Sequence, residues 1–236
     1  MVSNREARRH CWLRVPSSEA RRHHNKSMEP LLLPLFPLSI VLLPGTPLPL
    51  HIFEDRYKEM MAELIPARGE FGVVLAKDDG IVNIGCTAVV ERVMQRYADG
   101  RLDLIAVGQR RFQVMSLDEE RSFLRASVEY FNDEEAGEVP LELRRKAIVQ
   151  YQRLREVEKP SVIIEPNLEG PQLSFQLAQF VADVDKRQTI LSLRSEAERL
   201  GFLVNMLPAY IEQREQVVLA KRVAPLNGHV KHLAGL

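Results

Sequence analysis

The side chains in this sequence with chemistry to offer are His51, Met60, Met61 and the adjacent pair Arg110 and Arg111. An imidazole titrates near neutrality and can serve as a general base. Two guanidiniums beside Phe112, in Gln-Arg-Arg-Phe, suit a phosphate or the face of a base. A methionine pair suits an adaptable apolar groove. Each has a plainer use: His51 as a strand histidine with a local hydrogen bond, Arg110/Arg111 as charge guarding an edge strand, and Met60/Met61 as the core side of an amphipathic helix. Carboxylate pairs at Glu54/Asp55, Asp78/Asp79 and Asp118–Glu120 fall where helix starts and turns place solvated acids.

The motifs that organise such groups into catalysts are missing. No glycine is followed by lysine, so no phosphate-cradling loop of the Gly-x-x-x-x-Gly-Lys type exists. Gly-x-Gly-x-x-Gly, Gly-x-Ser-x-Gly and His-Glu-x-x-His do not occur either. The two cysteines, Cys11 and Cys86, support neither a disulfide framework nor a zinc site. Three of the six histidines, His10, His23 and His24, lie near the N-terminus at a spacing that fits no structured metal site. No enzymatic activity, cofactor or metal is expected, and the cysteine usage is compatible with the cytoplasm.

Which elements would position these residues? Leu31 to Phe53 contains no Lys, Arg, Asp or Glu, which by length suggests a membrane span. Five prolines between Pro34 and Pro49 would break a spanning helix along its length. The stretch is expected to be buried and extended, with X-Pro corners. Strand-like runs follow at Phe71–Ala76, Ile81–Tyr97 and Leu102–Gly108, with Asp99-Gly100 as a hairpin signal. Tyr57, Met60, Met61 and Leu64 mark one helix among them. Many short strands with a single helix predict a small closed or partly closed barrel.

Beyond the acidic linker Asn132–Pro140 the period changes to 3.6. Leu143, Ala147, Tyr151 and Leu154 form one stripe, and Leu173, Leu177, Phe180, Val181 and Val184 a second. A third runs Leu200, Leu203, Val204, Leu207, Ile211, with Ser195 and Glu198 in capping-box spacing and Pro208 expected to bend or interrupt it. The fold class predicted is α+β: a β-rich half over 30–132, then a helical bundle over 133–222. Residues 1–29 are expected to be a disordered basic tail, dispensable for folding, and 223–236 a flexible C-terminus. Residues 1–28 carry seven basic side chains against Glu6 and Glu19, which leaves 25 basic and 30 acidic groups for the rest. A body of that sign disfavours nucleic acid, although the tail and Arg110/Arg111 keep it open.

The stretch from Leu33 to Tyr57 resembles the start of the Lon protease N-terminal, substrate-binding domain, with Pro37, Pro44, Gly45, Pro49, Leu50, Phe53, Glu54, Arg56 and Tyr57 in the family's pattern. The resemblance continues through Gly85, Gly100, Gly108, Arg111 and Phe112 and covers about Pro30 to Arg222. It implies a pseudo-barrel related to the PUA domain, followed by helices. In full-length Lon an ATPase and a serine-lysine peptidase follow; this sequence carries neither, resembles the stand-alone Lon-domain proteins of bacteria, and is not expected to unfold or cleave. It implies instead a non-catalytic module binding unfolded or client polypeptides or a protein partner, with RNA binding as the alternative; no membrane partner is expected, because of the prolines between Pro34 and Pro49. The family motif marks mainly structural positions, and Phe53 is expected among them as a core anchor.

Overall fold

A computed structural model describes residues 12–13, 32–78, 80–134, 138–159 and 166–223. Its elements are β1 (Trp12–Leu13), β2 (Leu33–Leu38), β3 (Pro47–Ile52), α1 (Asp55–Ala67), β4 (Glu70–Lys77), β5 (Gly80–Arg96), β6 (Leu102–Asp118) and β7 (Arg125–Phe131). Then come α2 (Leu141–Glu158), α3 (Leu173–Leu177) with a 3-10 turn over Ala178–Phe180, α4 (Val184–Ser192) and α5 (Glu196–Val223). The expectations for the tail and the C-terminus fall outside the described residues, apart from β1 and the end of α5. Among the described residues no helix is long and apolar enough to cross a membrane.

The chain divides into two compact units, Met1–Asn132 with Asp183–Ser192, and Asp133–Ala182 with Leu193–Leu236. In the first, the strand order is β1-β5-β4-β2-β7-β6-β3 and β5 also pairs with β6, so the circuit β5–β4–β2–β7–β6 closes on itself. That is the expected pseudo-barrel, with β3 added outside the ring on β6. All pairings are antiparallel except β2 with β4. Closure works because inward positions alternate along each strand. Leu33, Leu35, Val74, Ile81, Phe112, Val114 and Ala126 fill the interior. The Phe112 ring needs Gly72 and Gly85 beneath it, since a Cβ on either would lie 2.6 Å from its tip.

The proline-rich stretch is resolved as predicted. Val41, Leu42 and Leu43 are buried, and Gly45 turns the chain at φ +70°. The turn docks on β6, where Gly45 N–H donates to the Gly108 carbonyl (2.9 Å) and Gly108 N–H donates to Thr46 O (3.0 Å). The expected helix is α1, with Tyr57, Met60 and Met61 buried.

One helical expectation is corrected and another narrowed. The stripe from Leu173 to Val184 does not form one helix: Val181 is extended (φ −77°, ψ 104°). Asp183 restarts the chain, its Oδ1 accepting from Lys186 N–H (3.0 Å) and its carbonyl from Arg187 N–H (3.0 Å). Such a cap satisfies donors that continued helix would have paired. The resulting α4 belongs to the barrel unit, where Gln188 Nε2 donates to Ile84 O (3.0 Å) and Lys77 pairs with Asp185 (2.6 Å). Of the two outcomes expected at Pro208, interruption does not occur, since α5 runs unbroken to Val223.

In the second unit α2 packs on α5, burying Ala147, Tyr151 and Leu154 with Leu200, Leu203, Leu207 and Ile211. Ser195 Oγ accepts from Glu198 N–H at 3.4 Å at the start of α5. Arg199, fully buried, donates to Asp133 (2.6 and 2.5 Å), Glu196 (2.9 Å), Ser174 Oγ (2.8 Å) and Leu193 O (3.0 Å), with Phe175 under its guanidinium. Burial alone would lower its pKa, but Asp133 and Glu196 more than offset that, so the net shift is upward.

Candidate functional site

The exposed chemistry gathers where β3 ends and α1 begins. Register places His51 opposite Asp103, with Gln95 on the far side of Asp103. His51 Nδ1 lies 2.5 Å from Asp103 Oδ1, and the Tyr97 hydroxyl donates to Asp103 Oδ2 (2.6 Å). The carboxylate thus holds two rings. Its pKa is lowered, first by the His51 bond and then by that of Tyr97, and the Tyr97 pKa is raised, chiefly by the same hydrogen bond.

Phe53 stacks beside His51 (centroids 6.0 Å apart, 24° between planes), and Tyr97 meets His51 edge-on at 6.1 Å. Phe53 is 59% exposed, so its expected role as a core anchor is overturned. The reason is its place in the chain: β3 stops at Ile52, which is buried, and the next residue turns outward before α1. The other motif residues here are structural. Tyr57 is buried against Phe36 (4.0 Å), Arg56 lies over the Tyr57 ring and pairs with Glu54 (2.6 Å), and Pro37 lies in β2.

Two clefts flank α1. One of about 160 Å³ is lined by Phe36, His51, Phe53, Glu54, Arg56 and Tyr57, among others. A second, about 380 Å³, lies between α1 and the β5–β6 hairpin and is lined by Lys58, Ile65, Arg96, Tyr97 and Leu102, among others. His51 lines the first and Tyr97 the second, so the aromatic group touches both. His51 and Asp103 are paired as a base and its orienter would be, yet among the described residues no serine, threonine or cysteine lines the first cleft. What the arrangement offers is a supported aromatic ledge beside concave surface: two rings held by one carboxylate, with Phe53 stacked on the first. No group of three or more His, Cys, Asp or Glu among the described residues is placed to hold a metal ion.

Of the remaining candidates, Met60 and Arg111 are buried away from solvent. The i, i+3, i+4 stripe turns Met60 and Met61 into the core with Tyr57, and Met61 also lines the floor of the second cleft. Arg111 is buried, its guanidinium over Phe131 and its Nη1 donating to Leu191 O of α4 (3.2 Å). It stands opposite Cys86 on β5 and serves the packing of α4. Arg110 points outward, bonded to Glu70 (2.9 Å) and lying 4.0 Å from the Tyr130 ring centroid. The two arginines therefore do not share a face, as alternation along β6 requires. Tyr97 and Asp103 were missed. Their signal was present: in Leu102-Asp103-Leu104 the acid alternates with buried leucines and must face outward, as His51 does.

The family model described as the ATP-dependent protease La (LON) substrate-binding domain matches residues 32–219. The crystal structure of a Lon N-terminal domain protein from Xanthomonas campestris is similar at 26% identity and a TM-score of 0.61, covering 74% of this chain and 98% of that one. The N-terminal domain of a Mycobacterium avium complex Lon protease aligns at 15% identity and a TM-score of 0.43, over 84% of this chain and 100% of that one.

Proposed function

The chain belongs to the Lon substrate-binding-domain family, and from that premise we propose that it is a non-catalytic polypeptide-binding module whose contact surface is the ledge of His51, Phe53 and Tyr97. One observation carries the proposal: a large aromatic, Phe53, stands 59% exposed on a supported ring cluster between strand and helix. Exposed aromatics on rigid supports make binding anchors, because little side-chain entropy remains to be lost. The clients are unfolded polypeptides, which offer short apolar anchors. Ordering such a segment costs about 2–5 kcal/mol, so the affinity expected is roughly micromolar. A cytoplasmic setting is part of the same proposal, in keeping with the free, buried Cys86 thiol.

The test is fluorescence anisotropy with labelled, reduced and carboxymethylated α-lactalbumin, a permanently unfolded probe. Phe53→Ala should weaken binding about tenfold, the loss of a hot-spot contact, while leaving the unfolding midpoint nearly unchanged. Single-stranded RNA should fail to compete. Equal affinity in the variant would remove the ledge as the contact, and displacement by RNA with a steep salt dependence would assign the surface to nucleic acid.

A further inference from the structure

The barrel circuit is closed, but β5 is longer than the ring needs. Its pairing with β6 begins at Ile84 opposite Gln113. The residues before it have β4 on one side, through Gly80–Lys77 and Ile81–Ala76. Among the described residues the other side carries β1 alone, antiparallel, with Trp12 opposite Val82 and Leu13 opposite Ile81. The interval is bounded at its far end by α4, whose Gln188 already occupies the Ile84 carbonyl. Ile81 to Asn83 is therefore a short stretch of sheet edge that the ring itself leaves unpaired.

An open edge presents backbone donors and acceptors that another extended chain can pair with. Here the occupant is a Trp-Leu dipeptide, an aromatic-aliphatic pair of the kind unfolded proteins expose. Val82 and Ile84, alternate positions on β5, are half-buried, and cross-strand pairs of such side chains favour aromatic or aliphatic partners. Strands in globular proteins run to about 5–6 residues, so a two-residue strand is a weak occupant that a longer segment can displace.

We propose that the β5 edge over Ile81–Asn83 is a strand-addition site for extended apolar polypeptide segments, held closed by the chain's own Trp12–Leu13. The proposal rests on the polypeptide-binding function and adds a second contact and a means of regulating it. A tethered segment acts at an effective concentration of about millimolar. If its own dissociation constant for the edge is about tenfold lower, clients bind the native chain about tenfold more weakly than a chain whose edge is free.

The experiment uses the full chain and a full-length Trp12→Pro/Leu13→Pro variant, since proline removes the backbone donors a strand needs. Hydrogen exchange over Ile81–Asn83 should accelerate in the variant, and the carboxymethylated α-lactalbumin probe should bind about tenfold more tightly. A synthetic peptide of residues 9–15, with serine in place of Cys11, should restore protection and displace the added binding. Phe53→Ala in both backgrounds separates the two contacts, because the gain on release should persist without the phenylalanine. Unchanged exchange overturns the inference, as does faster exchange with no gain in affinity; Phe53-dependent binding that survives in either case leaves the ledge standing. Failure of the probe to bind any form overturns both.

Discussion

Replacing Arg199 with methionine should be among the most damaging single changes in the helical unit. The guanidinium is fully buried, whereas the side chains of Asp133 and Glu196 retain 25% and 10% of their exposure. Methionine keeps the apolar stem over Phe175 but removes the cation that Asp133 and Glu196 share. Removing one partner from a buried ion cluster costs about 3–5 kcal/mol. The partial exposure of Asp133 pulls the expectation to the lower end, about 3 kcal/mol. Urea unfolding followed by circular dichroism measures it. The pH dependence supplies a second check. Protonating either carboxylate removes a charge left without that cation, so the penalty should be largest at neutral pH and shrink as pH falls toward the carboxylate range, roughly 4. A loss below about 1 kcal/mol, or a penalty that grows on acidification, would refute the assignment of Arg199 as the charge that neutralises this cluster.

Three other perturbations read different parts of the molecule. Gly108→Ala would set a Cβ 2.3 Å from the Leu43 carbonyl oxygen, which the docked turn cannot move, and should cost about 1–3 kcal/mol in thermal unfolding; Gly201→Ala meets nothing within 4 Å in α5 and should stabilise by about 0.5–1 kcal/mol. Burial pushes the Cys86 thiol up to about 12, so in a Cys11→Ser chain at pH 8 Ellman's reagent should react only at the rate of unfolding. Since its folded value lies above the ordinary one near 8.5, the stability it contributes is complete below that pH and is lost as pH rises toward 12. A fragment ending at Asn132 lacks α4 and strips Arg111 of its Leu191 acceptor, so it should show no cooperative unfolding; rejoining residues 183–192 through a flexible linker should restore it.

The barrel was legible because its signals are local. Prolines excluded the membrane helix, alternation gave the strands, and Asp99-Gly100 marked the hairpin that β5 and β6 form. The break at Val181 was not legible, since an apolar stripe continues through it and only the capping by Asp183 ends one helix and begins another. The candidate site was legible in part. His51 was singled out, but its partners are 46 and 52 residues away in sequence and depend on strand register. Phe53 was misread for a related reason: a phenylalanine following a strand gives no local sign of which side it will face. Arg110 and Arg111 show the limit of composition, since adjacent residues on a strand point to opposite faces and only one could have met a ligand.

The return of Asp183–Ser192 to the barrel unit has a consequence in time. A ribosome adds about 5–20 residues each second. When Asn132 has been made, every strand of the ring exists, but Ser192 is 60 residues further on. The ring therefore waits about 3–12 s for its last piece, with the Ile84 carbonyl and the buried Arg111 still short of their partners on α4. For a polypeptide-binding module, that interval is when its own nascent chain most resembles a client.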